Sequence, residues 1–365
     1  MRQLEHQKHR RKFILIKVIC LSQSNLKIGS EMKNILQKLF DWLREFMFWK
    51  ITKHLPIHHK VIQFIPDEDL VATDAVSSLS ETIDWGLILT DIPAMWAQTK
   101  GENIKVAIVD TGVDDHIDLE GQILAKYDAT GSGMEDSTGH ATHVAGTVCA
   151  LENDMGIIGV APGSKIYSVK VLGPGGNGTF LQIIEGLKIC ETLDCDIINL
   201  SLGITQRPPE ALYTQIKKLV AQGKYIVAAA GNNAGAVNYP AAYPEVIAVA
   251  AIDKNKKLAK FSSRGAEVHA SAPGVDIYST SKNNEYRKMS GTSQAAPFFS
   301  GICALLLSYA RAHPENLKID SFSDLLKVLD GLCDPDGETH FSGALNDVGF
   351  GVPHFANNMP WKKDV

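Results

Sequence analysis

No stretch of the 365 residues reaches the ~18 uninterrupted apolar residues of a membrane span. The best candidate, residues 13–21, is nine residues long and is broken by Lys17. Arg10, Arg11 and Lys12 precede it, which gives the outline of a signal peptide, but it lacks a clear small-x-small cleavage site. Six cysteines at 20, 149, 190, 195, 303 and 333 form no C-x-x-C and no zinc spacing, so neither a thioredoxin-type redox motif nor a zinc finger is present. A chain of this length also needs no disulfides to close its core. Cys149, Cys190, Cys195 and Cys303 fall in or beside apolar runs and read as small buried hydrophobes. Free thiols favour a cytoplasmic, reducing compartment over secretion. There is no internal repeat, and no nucleic-acid motif accompanies the acidic body. A nucleotide-binding reading fails for want of a phosphate loop. Gly173-Pro-Gly-Gly-Asn-Gly178 is glycine-rich but matches neither G-x-x-x-x-G-K-[ST] nor a strand-to-helix G-x-G-x-x-G.

With 45% apolar and 21% charged residues, the chain has an ordinary globular balance. The formal net charge of -5 conceals a step: residues 1–60 carry +9 and the remainder -14. A basic head therefore precedes an acidic body. Such a head is a solvated tail, a segment that docks on its own body, or one that touches an anionic membrane surface. Within it, the apolar positions 32, 35, 36, 39, 43, 46 and 47 follow a helical period. Membrane-surface contact through residues 32–50 is one reading of that stripe, and packing on protein is the preferred one. Met32 offers an alternative start. Val61 to Ile65 is a short strand candidate stopped by Pro66, and residues 67–84 are polar and read as a linker. The expected organisation is an N-terminal extension over 1–80, a main domain over 81–355 and a tail over 356–365.

After Trp85 the texture becomes α/β. Apolar runs at Ile104–Val109, Lys165–Val171, Ile197–Leu200, Tyr225–Ala230 and Val246–Ala251 alternate with helical stretches. Continuous apolar strands separated by helices imply a parallel sheet covered on both faces, with function beyond the C-terminal strand ends.

Four segments fall at such places. Val106-Ala-Ile-Val-Asp110-Thr-Gly112 ends a strand in a carboxylate, which on its own is a turn cap. Gly139-His140-Ala-Thr-His143 opens an apolar helix over His143–Leu151, with His140 at its start and His143 a turn later, where it packs. A pair of His at i and i+3 also invites a metal, but the H-E-x-x-H spacing is absent. Ser290-Gly-Thr-Ser293-Gln-Ala-Ala-Pro297 leads into an apolar helix ending near Ala310. Ser293 is either a plain N-cap or a nucleophile set where free N–H groups favour developing negative charge. Ala229-Ala-Gly231-Asn232 ends a buried strand in a side-chain amide able to donate to an oxyanion, or in a plain turn. Together the four supply a nucleophile, a base, an orienting carboxylate and an oxyanion donor, which is what acyl transfer requires.

At this point the sequence resembles the subtilisin-like serine peptidases. The order Asp110, His140, Ser293 is theirs. The likeness continues through Trp85-Gly, Val160-Ala-Pro, Lys170-Val-Leu-Gly, Asn199-Leu-Ser-Leu-Gly203, Tyr239-Pro-Ala-Ala-Tyr-Pro244, Phe261-Ser-Ser263, Ala272-Pro-Gly274 and Gly349-Phe-Gly351. It covers about residues 84 to 352. The resemblance implies a parallel α/β sheet with helices on both faces, and protein or peptide substrates. It implies Ser293 as nucleophile, His140 as general base and then acid, Asp110 as its orienting partner and Asn232 as oxyanion donor. It further implies Ser201, Leu202, Gly203, Ala229 and Gly231 as walls of the pocket for the residue before the scissile bond. Asn238 is its floor, where a side chain shortens the pocket. The loop 173–178, with Gly176, is expected to pair with substrate as an added strand. Residues 151–157 resemble the family's calcium loop, with the Asn153 side chain, the carbonyls of Leu151, Met155 and Ile157, and the Asp118 carboxylate as ligands, and Glu81 as a looser candidate.

Three departures stand out. Ala141 replaces a glycine, Gln294 a methionine, and Phe298-Phe-Ser300 a His-Val-Ala. None removes a catalytic atom. The competing reading is a catalytically silent binding or regulatory protein on the same fold. A silent member usually loses one of the three triad residues, and this chain keeps all. The head does not clearly match the usual secreted-type prodomain. The charge step suggests that it acts as an inhibitory presegment, with Val61 to Pro66 near the cleft.

Overall fold

The structure is a computed structural model. It describes residues 62–63, 80–333 and 349–355, which belong to one compact unit starting at Lys60. The predicted helix at 32–49, most of the linker and the tail lie outside the described residues.

In chain order the elements begin with a two-residue strand β1 (Ile62–Gln63) and two short helices, α1 (Trp85–Leu89) and α2 (Ile92–Trp96). Strands β2 (Lys105–Asp110) and β3 (Ile123–Asp128) precede helix α3 (His140–Cys149). Next come β4 (Lys165–Lys170), β5 (Asn177–Gly178), α4 (Phe180–Thr192), β6 (Ile197–Leu200), α5 (Glu210–Ala221), β7 (Tyr225–Ala229), β8 (Ile247–Ile252) and β9 (Val268–Pro273). A hairpin, β10 (Ile277–Ser281) and β11 (Glu285–Met289), leads into α6 (Thr292–Ala312) and α7 (Phe322–Leu332).

Seven strands form one sheet in the order β3-β4-β2-β6-β7-β8-β9. Every pair in it is parallel. Alternation along β2 shows why both faces are covered. Val106 and Ile108 join a core containing α3, α6 and α7, while Ala107 and Val109 join a second core under α4 and α5. A strand buried on both sides has no polar face to show, so it reads as a continuous apolar run. Helix α6 is apolar enough in length and composition to cross a membrane, yet it is almost wholly buried at the centre of the first core. Phe298 and Phe299, the departures from His-Val, fill that core.

The five predicted strands are present, each within a residue or so of its expected bounds. Strands β3 and β9 and the β10–β11 hairpin were not expected. β3 is an edge strand with exposed Leu124, and β10 and β11 carry hydroxyls and charges, so neither advertises itself as an apolar run. Helix α3 starts at His140, not His143. The last part of the expected linker belongs to the body. Thr82 bridges to Ile157, and Asp84 caps α1 while accepting from the Tyr278 N–H at 3.2 Å. Burial pushes the Asp84 carboxyl up to about 6.

Candidate active site

The C-terminal ends of β2, β6 and β7 and the starts of α3 and α6 meet at one edge of the sheet. β2 is the third of the seven strands, with β4 on one side and β6 on the other, and Asp110 is its last residue. Such reversal points open a crevice in α/β sheets. Asp110 is fully buried, and its Oδ1 accepts from the Thr111 N–H at 2.6 Å. The same oxygen lies 2.8 Å from His140 Nδ1. That contact fixes the ring's orientation and makes Nε2 the nitrogen available for proton transfer. Gly139, the N-cap of α3, sits at φ 85°, and a Cβ there would fall 2.5 Å from Ser281 Oγ. Glycine is therefore the residue that lets the chain enter α3 and place His140 in its first turn.

Ser293 stands in the first turn of α6, which packs on α3. Its hydroxyl donates to the Ser201 carbonyl at 3.3 Å. A buried line of hydrogen bonds supports this turn. Ser300 Oγ donates to Asn199 Oδ1 (3.0 Å), Asn199 Nδ2 to Ser201 Oγ (2.9 Å), and Ser201 Oγ to the Ser293 carbonyl (2.8 Å). So the serine found where the family has alanine holds the amide of Asn199, a link that sequence reading missed. Nothing local in the sequence marks it, because the partners lie 101 and 92 residues apart.

Asn232 is held by its oxygen. Oδ1 accepts from the Thr292 N–H at 2.9 Å and from Thr292 Oγ1 at 2.7 Å. With the oxygen turned to Thr292, the donor end of the amide is the Nδ2 side. Thr292 Oγ1 in turn accepts from the Gly231 N–H at 3.0 Å. Thr292 thus holds the Asn232 amide in one orientation, a link that nothing local in the sequence marks.

A cavity of about 20 Å³ gathers Leu202, Gly203, Ala229, Gly231, Asn232, Asn238, Thr292 and Ser293. The expected pocket residues therefore converge beside Ser293, with Ser201 bonded beneath. Asn238 is buried, and a Cβ on Gly231 (φ 117°) would lie 2.5 Å from its Nδ2. Beyond the cavity, Asn177 and Gly178 pair antiparallel with Gln63 and Ile62. Gly176 lies in the turn just before that pair, at φ 72°.

His143 is fully buried. Its Nε2 lies 2.9 Å from the Ile277 carbonyl and 3.1 Å from that of Arg287. Burial depresses it to about 3, so it is a neutral packing residue. Gln294 is buried with Nε2 near Met289 Sδ at 3.9 Å, and Ala141 packs in the core with its N–H on Thr111 Oγ1 at 3.1 Å.

The expected calcium residues also meet. The Asp118 carboxylate is fully buried and accepts from the Ile157 N–H (3.0 Å), Tyr286 OH (2.9 Å) and Asn153 Nδ2 (3.2 Å). Leu151 N–H donates to the Asp118 carbonyl at 2.8 Å, and Glu81 Oε1 accepts from the Asn153 N–H at 2.8 Å. The Asn153 oxygen faces the Met155 N–H at 3.2 Å, so its amide nitrogen, not its oxygen, is turned to Asp118. No cluster of three or more His, Cys, Asp or Glu suited to a metal occurs among the described residues.

Comparison with known proteins places this geometry. A model described as the Subtilase family matches residues 101–326. Subtilisin DY from Bacillus licheniformis is 43% identical over 236 residues, 63% of this chain and 86% of that protein. The major intracellular serine protease of Bacillus subtilis is 40% identical over 265 residues, 68% of this chain and 81% of that one. M-protease from Shouchella clausii is 37% identical over 248 residues, and the match spans 65% of its length.

Proposed function

The chain belongs to the subtilase family and is a subtilisin-like serine endopeptidase, and from that premise we propose that Asp110, His140 and Ser293 cleave peptide bonds through an acyl-enzyme, with Asn232 stabilising the oxyanion. The observations that support this reading are the 2.8 Å contact between Asp110 and His140 and the cavity that Ser293 and Asn232 line together. Ser293 Oγ attacks the carbonyl carbon while His140 Nε2 takes its proton, and Asp110 stabilises the imidazolium that results. The tetrahedral oxyanion accepts from Asn232 Nδ2 and the Ser293 N–H. His140 then protonates the leaving amine, and water repeats the sequence in reverse on the acyl-enzyme. Asn238, as the floor, shortens the pocket for the residue before the scissile bond. Hydrolysis of a peptide library by the full chain and by a chain starting near Ser80, each with Ser293→Ala as the blank, tests the assignment: cleavage that the blank lacks supports it, and no cleavage by either chain opposes it.

The head is proposed as an inhibitor of this site. The support is the antiparallel pairing of Ile62–Gln63 with Asn177–Gly178, the loop expected to receive substrate as an added strand. Pro66, three residues on, lacks an N–H and resists cleavage. The inhibited form therefore occupies its own cleft. A chain starting near Ser80 is expected to hydrolyse peptides at least ~10-fold faster than the full chain at the same concentration. Equal rates would contradict an inhibitory head.

Calcium is proposed at Asp118, with Glu81 and the carbonyls of Leu151, Met155 and Ile157 as further oxygen donors and the Asn153 amide turned to join them. The site fits a hard cation in two ways. The donors are all oxygen. The buried Asp118 carboxylate has three hydrogen-bond donors but no ion-pair partner among the described residues, so a cation would add the missing counter-charge. The ion supplies charge neutralisation and ties the 80–84 segment to the 151–157 loop; it takes no part in the chemistry. At a calcium level ~1,000 times its Kd the ion adds about 4 kcal/mol, so a chelator is expected to lower Tm by about 10 °C. Asp118→Asn should abolish that response, and an unchanged Tm on chelation would exclude the ion.

A reducing compartment is proposed, on the buried thiols of Cys149, Cys190, Cys195 and Cys303 and the relative named as intracellular.

A further inference from the structure

Asp136 lies four residues before His140 in a loop that no motif singled out, yet it is 3% exposed. Its carboxylate accepts six hydrogen bonds. Oδ1 receives Thr111 Oγ1 (2.9 Å), the Thr138 N–H (3.1 Å), Thr138 Oγ1 (3.1 Å) and the Gly139 N–H (2.9 Å). Oδ2 receives the Thr142 N–H (2.9 Å) and Thr142 Oγ1 (2.8 Å). No ion pair to it occurs among the described residues.

We propose that Asp136 is a positioning residue of the active centre, its buried carboxylate locking the strand end that carries Asp110 to the helix start that carries His140. The proposal rests on the triad reading. Thr111 follows Asp110 directly, and its Oγ1 both donates to Asp136 and accepts from the Ala141 N–H at 3.1 Å. On the other side, Gly139 gives α3 no side-chain cap. Asp136 takes the N–H groups of Gly139 and Thr142, Thr138 Oγ1 takes that of His140 at 3.1 Å, and Thr111 takes that of Ala141. Every N–H from 139 to 142 is thus satisfied by Asp136 or by a hydroxyl bonded to it. These are the donors that a helix start leaves open.

The Asp110–His140 contact joins backbone segments 30 residues apart. Its length depends on how those two segments are held to one another. Asp136 bonds to both, and it also bonds the Thr111 hydroxyl that accepts from Ala141. Asparagine is nearly isosteric but replaces one acceptor oxygen with an N–H₂. Either the Thr142 pair or the Thr111, Thr138 and Gly139 donors would then face a donor. The β2 end and the α3 start are freed to shift, and a misplacement of ~1 Å costs about 10²-fold in rate.

The test uses the full chain and compares Asp136→Asn, His140→Ala, their combination and Ser293→Ala in steady-state peptide hydrolysis. Asp136→Asn is expected to lower kcat ~10²-fold with KM within about threefold, and to lower the residual rate no further when His140 is already alanine. That non-additivity is what a residue acting through His140 produces and what a general weakening of the fold does not. A kcat within about threefold of the parent overturns the proposal. So does a ~10²-fold loss that persists in the His140→Ala chain. Should Asp136→Asn fail to fold by circular dichroism, Thr111→Val serves instead. It removes one donor and the acceptor for Ala141, and is expected to cost about 10-fold in kcat, again only when His140 is present; no loss overturns the proposal. A Ser293→Ala chain that keeps the parent rate would overturn the triad itself, an outcome distinct from all of these.

Discussion

Ser293→Ala is expected to reduce kcat at least ~10³-fold with little change in KM, and adding His140→Ala to it should cost almost nothing more. On the proposed mechanism, removal of the hydroxyl takes away the atom that forms the acyl-enzyme, while the other residues lining the cavity (Leu202, Gly203, Ala229 and Gly231) stay in place. Ground-state binding therefore survives and the chemical step does not. The two residues act as one unit, since the imidazole has no proton to take once the hydroxyl is gone, so the single and double losses converge. Whatever rate remains comes from the oxyanion donors and from binding. Steady-state kinetics on the two single variants and the double variant check this. Losses that multiply would mean that Ser293 and His140 work independently.

Asn232→Ala carries the second-largest expected effect, a kcat lower by about 10²–10³ with KM nearly unchanged. That factor corresponds to about 2.7–4 kcal/mol of transition-state stabilisation. The amide oxygen is clamped by the Thr292 N–H and hydroxyl, and on the proposed mechanism the nitrogen is the end that meets the oxyanion. The donor is thus oriented before substrate arrives and needs no reorganisation during the reaction. Its target carries full negative charge only in the tetrahedral state, so the loss falls on kcat. If KM rose and kcat held, Asn232 would be a ground-state binder.

Much of this site is legible in the sequence because each part sits at a strand end or helix start that local patterning marks. Asp110 closes an apolar run, His140 follows a turn glycine, and Ser293 precedes an apolar helix. The walls of the pocket follow once those anchors are set. What cannot be read locally is who bonds whom across the fold. Ser300 meets Asn199, Thr292 meets Asn232, and Asp136 meets Thr111, pairs 101, 60 and 25 residues apart. A buried serine or aspartate looks the same in sequence as an exposed one. The fold shows the same divide. Strands buried on both faces declare themselves, whereas β3, with Leu124 exposed, and the polar hairpin β10–β11 do not. The start of α3 was placed three residues late because Gly139 caps it by conformation, without the Ser, Thr, Asp or Asn that normally signals an N-terminus.

The most direct test of the assignment is where a fluorophosphonate attaches. Both the full chain and the chain starting near Ser80 would be exposed to the reagent and mapped by peptide mass spectrometry. The account predicts one adduct, on Ser293, formed more slowly in the full chain and greatly slowed by Asp110→Asn. An adduct on another serine, or none on Ser293 in either folded chain, would contradict it.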